Sequence, residues 1–126
     1  MEMISVVPIL VVESVKDSMG FYELTLGFEA YYALPNHDAP IMCMVKKNAV
    51  TLLLKERSLV NTSIPHIMAR PLEGSMICHI QTNDIHAYHK QLQDKVTFVQ
   101  PLTKNNGMIE FSIIDNSGYI LNFAQY

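Results

Sequence analysis

The apolar and polar positions of this chain change period twice, in the same order each time. From Ile4 to Val12 the residues are apolar and largely β-branched, the pattern of a strand buried on both faces. Ser14 then offers a helix N-cap with Asp17 three residues on. Val15, Met19, Tyr22 and Leu26 follow at spacings of four, three and four, laying one apolar stripe along a helix that Gly27 ends. Three short β-rich runs come next, over 28–34, 41–46 and 49–55, punctuated by Pro35-Asn36-His37-Asp38 and Lys47-Asn48. The stretch from Arg57 to Gly74 is polar, carries Pro65 and Pro71, and reads as a linker or lid. After it the pattern restarts with a strand over 75–82 and a helix capped by Asp84 whose stripe is Ile85, Tyr88 and Leu92. Strands over 96–100, 108–114 and 119–124 complete it, the last two joined by the turn Asp115-Asn116-Ser117-Gly118.

An offset of 70 residues lays Ser14 on Asp84, Val15 on Ile85, Tyr22 on Leu92 and the run 49–55 on 119–125. The chain therefore reads as two tandem βαβββ modules, an α+β fold. A length of 126 residues suits one domain, with module one over 1–56, a linker over 57–74 and module two over 75–126.

Composition narrows the setting. With 49% hydrophobic and 17% charged residues the chain is globular. A net charge of -3, with only nine Lys and Arg spread along the sequence, leaves no basic stripe to displace counterions from nucleic acid. No apolar run approaches the roughly 18 residues of a membrane helix. The apolar start carries Glu2 where a secretion signal has Lys or Arg, and Pro8 interrupts it. Cys43 and Cys78 form no C-x-x-C pair, so both are expected reduced, buried and inert in a cytoplasmic protein.

Local motifs add a resemblance. The run Val7 to Val12 followed by S-M-G-F-Y-E-L-T-L-G-F over 18–28, and N-G-M-I-E-F-S-I-I-D-N-S-G-Y-I-L-N-F over 106–123, resemble the two ends of the glyoxalase/bleomycin-resistance/dioxygenase (vicinal oxygen chelate) superfamily. That resemblance implies two half-sheets facing across a cleft with helices outside, and a homodimer, sometimes with exchanged modules. Metal-dependent members place one ligand on the first and one on the fourth strand of each module. The corresponding positions here are Val7, Leu52, Ile77 and Asn122, of which three cannot donate to a metal and the fourth offers one amide oxygen. A catalytic zinc typically keeps three protein ligands, so neither a metal nor another cofactor is expected. His79, two residues past Ile77 on the same face of a strand, is the one challenger to that alignment.

The remaining candidates follow from filling the vacated centre with apolar groups. Val7, Leu52, Ile77 and Asn122 become the floor of a cleft for an organic ligand, with His79 as a polar group in it. Tyr32, Phe98 and Phe111 lie on strands that line the cleft in the family and offer rings for stacking, the alternative being that each packs under a helix. Tyr31 and Tyr32, adjacent in a strand, must point oppositely. Glu110 stands mid-strand with Ile109 where the family motif carries Arg; its charge faces solvent, pairs with a Lys, or meets a cationic ligand. His86 and His89, with Lys90 and Gln93, describe a solvated helix face, and His37 and His66 lie in loops. No G-x-S-x-G elbow, P-loop or G-x-G-x-x-G is present, so no catalytic residue is named. The expected function is metal-independent binding of a small organic ligand, with an antibiotic as one such ligand. The alternative is a glyoxalase-like metal-dependent lyase or isomerase using His79.

Overall fold

Ladder pairing in the computed structural model, which describes residues 1–64 and 76–126, begins at Ile9 rather than at Ile4. Pro8 has no N–H to donate; its carbonyl accepts from Leu53 N at 2.9 Å, and regular pairing starts one residue later. The expected strand is thus only β1 (Ile9–Val12), and Ile4 and Val6 are exposed. α1 (Val15–Gly20) follows and continues into a π-helical turn (Phe21–Thr25). Then come β2 (Glu29–Leu34), β3 (Met42–Lys47), β4 (Val50–Glu56) and α2 (Arg57–Ser63). The second unit runs β5 (Ile77–Gln81), α3 (Ile85–Leu92), β6 (Thr97–Asn105), β7 (Met108–Ile114) and β8 (Ile120–Gln125).

The chain divides into two compact units, Met1–Arg70 and Pro71–Tyr126. Each holds a four-stranded sheet, ordered β1-β4-β3-β2 in the first and β5-β8-β7-β6 in the second. In both the first pair is parallel and the other two antiparallel. The repeat inferred from periodicity is therefore a repeat of topology.

α1 packs on β3 and β4 through the predicted stripe: Val15, Met19, Tyr22 and Leu26 are all buried. They meet Leu10, Val12, Cys43, Val45, Leu52 and Leu54, which share one face of the sheet and are equally buried. Tyr22 sits edge-on to Phe28, and the Phe28 N–H donates back to Tyr22 O at 2.8 Å across Gly27, whose φ of 79° closes the helix. At the other end Asp17 N donates to Ser14 Oγ at 3.1 Å. Ser14→Ala should lower stability to urea by about 1 kcal/mol, while Ser14→Asp, the cap that α3 uses in Asp84, should be close to neutral.

Two elements depart from expectation. α2 occupies the start of the expected linker, held by an ion pair between Arg57 and Glu13 at 2.9 Å. Only Leu59 and Val60 are apolar in its seven residues, too few to show a helical period. The rest of that stretch, with Pro65, His66, Pro71 and Gly74, lies outside the described residues. β6 also runs past its expected end at Gln100. Register shifts around Gln100 absorb Pro101 on what is an edge strand. Asn105 then pairs with Met108 across Asn106-Gly107, whose φ values of 52° and 77° suit a two-residue hairpin turn.

Candidate functional site

α3 covers β7 and β8 with the stripe Ile85, Tyr88, His89 and Leu92. Beneath it lies an aromatic cluster. Phe111 is fully buried, with ring centroids 5.1 Å from His89, 5.7 Å from Phe98 and 5.3 Å from Phe123; Tyr88 sits edge-on to Phe123 at 5.0 Å. Phe111 is therefore a core ring under α3, and the half-buried Phe98 packs against the same cluster, the alternative that the sequence left open for both. His89 belongs to the same cluster, 4.9 Å from Phe98, so of the expected solvated pair only His86 is exposed. Burial raises the Tyr88 phenol to about 12. The thiols of Cys43 and Cys78 are also pushed up, chiefly by burial, as expected of inert cysteines.

In each unit the sheet face opposite the helix carries candidate residues, organised by one rung of paired residues. In the first unit the rung is Ile9–Leu53–Met44–Tyr31, read across β1, β4, β3 and β2. Ile9 is 46% exposed and Tyr31 37%, with Lys46 Nζ 5.9 Å from the Tyr31 ring centre. In the second unit the equivalent rung is His79–Asn122–Ser112–Gln100, across β5, β8, β7 and β6. One rung is apolar and the other polar.

The polar rung is continuously hydrogen-bonded. His79 Nε2 lies 2.8 Å from Tyr126 Oη, and the two rings stack. His79 Nδ1 lies 2.9 Å from Asn122 Nδ2. Ser112 Oγ is 2.7 Å from Asn122 Oδ1 and 3.1 Å from Gln100 Oε1. Gln100 Nε2 donates to Glu110 Oε1 at 3.3 Å. Asn122 and Ser112 are buried at 9% and 7% exposure, so their mutual hydrogen bonds replace those to water.

This register revises the expected set. Asn122, His79, Ile77 and Glu110 share the face of the second sheet opposite α3, Ile77 pairing with Ile120 and Glu110 with Ala124 and Thr103. Leu52 faces α1 instead, because the offset between units is 70 for Ile9 and His79 but 69 for Leu53 and Asn122 and 68 for Met44 and Ser112. A one-residue slip turns a side chain to the other face. The residue equivalent to Asn122 is Leu53. Val7 precedes β1 and joins no ladder. Tyr32 has a φ of 55° inside the irregular segment between Tyr31 and Leu34, so the strict alternation expected of the two tyrosines fails there and Tyr31 is the aromatic on the rung. Ser112, Gln100 and Tyr126 were missed. The alternation of Glu110, Ser112 and Ile114 against Phe111 and Ile113 held the signal for Ser112.

The face-sharing pairs on first and fourth strands, Ile9–Leu53 and His79–Asn122, do not suit a divalent ion: two are alkyl, one is a carboxamide, and both imidazole nitrogens already have partners. Among the described residues no three His, Cys, Asp or Glu side chains come together in a metal-binding group. Nor is any helix among them long and apolar enough to cross a membrane.

Two four-stranded mixed sheets of repeated topology, each with a helix on one face, define a class. The sequence profile of the Glyoxalase/Bleomycin resistance protein/Dioxygenase superfamily matches residues 4–123, and the chain belongs to that family. No curated protein sequence matches it. Solved structures share the fold at low identity. A glyoxalase/bleomycin resistance protein/dioxygenase from Nocardioides is 14% identical, with a TM-score of 0.79 over 100% of this chain and 85% of that one. The bleomycin-binding protein of Streptomyces verticillus, solved with copper(II)-bleomycin, is 17% identical with a TM-score of 0.70 over 98% and 96% of the two chains. TnmS3, an antibiotic binding protein from Streptomyces sp. CB03234, is 20% identical with a TM-score of 0.70 over 99% and 98%.

Proposed function

We propose that this protein binds a small organic molecule, without a metal ion, on the face of the second unit's sheet opposite α3. The observation that carries the reading is the hydrogen-bonded rung His79–Asn122–Ser112–Gln100, with the apolar Ile77 on the same face of the second sheet. Apolar walls with a few fixed polar groups are the usual make-up of small-molecule sites. Support comes from the poor fit of a divalent ion to these positions and from two fold relatives named for binding bleomycin and an antibiotic. The reading takes residues 1–126 as one binding domain of two modules and extends to a cytoplasmic homodimer.

Thermal-shift screening with planar aromatic compounds, bleomycin among them, tests it. A true ligand at a hundredfold excess over its Kd adds about 2.7 kcal/mol and should raise Tm by roughly 5–10 °C. Flat melting curves throughout the panel, together with stoichiometric Zn, Ni or Mn in the purified protein, would replace this reading with a metal-dependent lyase.

A further inference from the structure

Tyr126 follows directly on β8, yet its phenol reaches back to the polar rung. His79 pairs with Asn122, which lies about 13 Å behind Tyr126 along an extended chain. Between them on the same side of β8 stands Ala124, the smallest side chain that can hold the place and fully buried although it lies on the face away from α3. The phenol therefore leans back over Ala124 to meet His79. Tyr126 itself stays 67% exposed. It is held by one ring face, stacked on the His79 ring with centroids 6.2 Å apart, and by one hydroxyl, 2.8 Å from His79 Nε2. Two such contacts on an exposed residue are weak enough to give way.

The hydrogen count decides which of the pair donates. Ser112 has a single hydroxyl hydrogen, yet two carboxamide oxygens lie within hydrogen-bond distance of its Oγ. Gln100 keeps its Nε2 toward the Glu110 carboxylate, an acceptor when ionised, so Asn122 is the amide that turns. With Asn122 Oδ1 toward His79, the neutral imidazole carries its hydrogen on Nδ1, and Nε2 accepts from the Tyr126 hydroxyl. The outer end of the rung is thus an acceptor, paired with a flat ring face.

Resting on the binding role proposed above, we infer that Tyr126 is an internal stand-in for the ligand: its phenol fills a subsite at His79 that a hydroxyaromatic group of the bound molecule takes, and binding displaces it. A molecule with the same ring face and the same hydroxyl hydrogen restores every contact that the phenol gives up; an aryl ether restores only the stacking. While the phenol is seated the subsite is closed, so the measured affinity is reduced by the fraction of time that it stands open.

Titration of 2-naphthol and 2-methoxynaphthalene against the full chain and its Tyr126→Phe and Tyr126→Ala variants tests this. The naphthol should bind the unaltered chain several-fold more tightly than the ether. Tyr126→Ala should tighten the naphthol about tenfold, and Tyr126→Phe, which keeps the ring and loses the hydroxyl, should fall in between. In the unaltered chain, saturating 2-naphthol should move the Tyr126 ring resonances to those of an unstacked tyrosine, a readout that depends on no variant. Unchanged or weaker binding in Tyr126→Ala, equal affinity for the two probes, or Tyr126 resonances that stay in place overturns the stand-in and leaves the binding role standing. Absence of saturable binding by either probe in any of the three chains overturns the hydroxyaromatic class and this inference with it, while the melting panel above decides the binding role separately.

Discussion

Phe111→Ala should cost about 3–5 kcal/mol of stability to urea, the largest loss expected from any single change in the second unit. The ring is fully buried at the centre of a cluster of His89, Phe98 and Phe123, drawn from α3, β6 and β8. Truncation removes its apolar area from the core and leaves a cavity that the sheet and helix can only partly close. Phe111→Leu keeps more of the volume and should lose less than half as much. Because Phe111 faces α3 while Ser112 and Asn122 face away, the leucine variant should keep the binding selectivity of the unaltered chain. Altered preference among the naphthyl probes, with stability intact, would show that this ring belongs to the binding face after all.

Alkaline pH should destabilise the protein through Tyr88. The phenol of Tyr88 is raised from 10.0 to about 12 because burial beside Phe123 disfavours the phenolate. The folded state thus favours the protonated form, and the stabilisation is fully present below the unfolded value near 10. It is lost as pH rises from 10 through 12. At pH 11.5 the loss relative to pH 9 is about 2 kcal/mol. The telling quantity is the difference between the unaltered chain and Tyr88→Phe, measured by urea unfolding at both pH values. That difference should shift by about 2 kcal/mol in favour of the Phe variant as pH rises. Parallel curves would mean that Tyr88 ionises as freely in the folded chain as in the unfolded one.

Both predictions rest on the assignment of side chains to faces, where sequence and structure part company. Helix positions were legible because their evidence is local. A cap at Ser14 or Asp84 and a stripe such as Val15, Met19, Tyr22 and Leu26 need only their near neighbours. The repeat was legible too, since the two helices share one offset. Asn122 came from counting past the turn glycine Gly118, and His79 from its place two residues beyond Ile77 on one strand face; the ladder pairs the two.

Leu52 was misplaced, and packing under a helix was left open for Phe98 and Phe111, because the facing of a strand residue is not a local property. Strand side chains alternate with a period of two, so their facing depends on pairing with residues far along the chain. The offset drifts from 70 to 68 across the rungs, and bulges in β2 and β6 interrupt the alternation. No window of sequence records that drift. The sequence by itself determined the order of the strands and of the two capped helices, though not α2, together with the helix caps, the repeat and the family. Only the tertiary structure decided which residues share the faces opposite the helices, because hydrogen bonds between strands, rather than spacing along one strand, set the register that joins His79 to Asn122, Ser112 and Gln100.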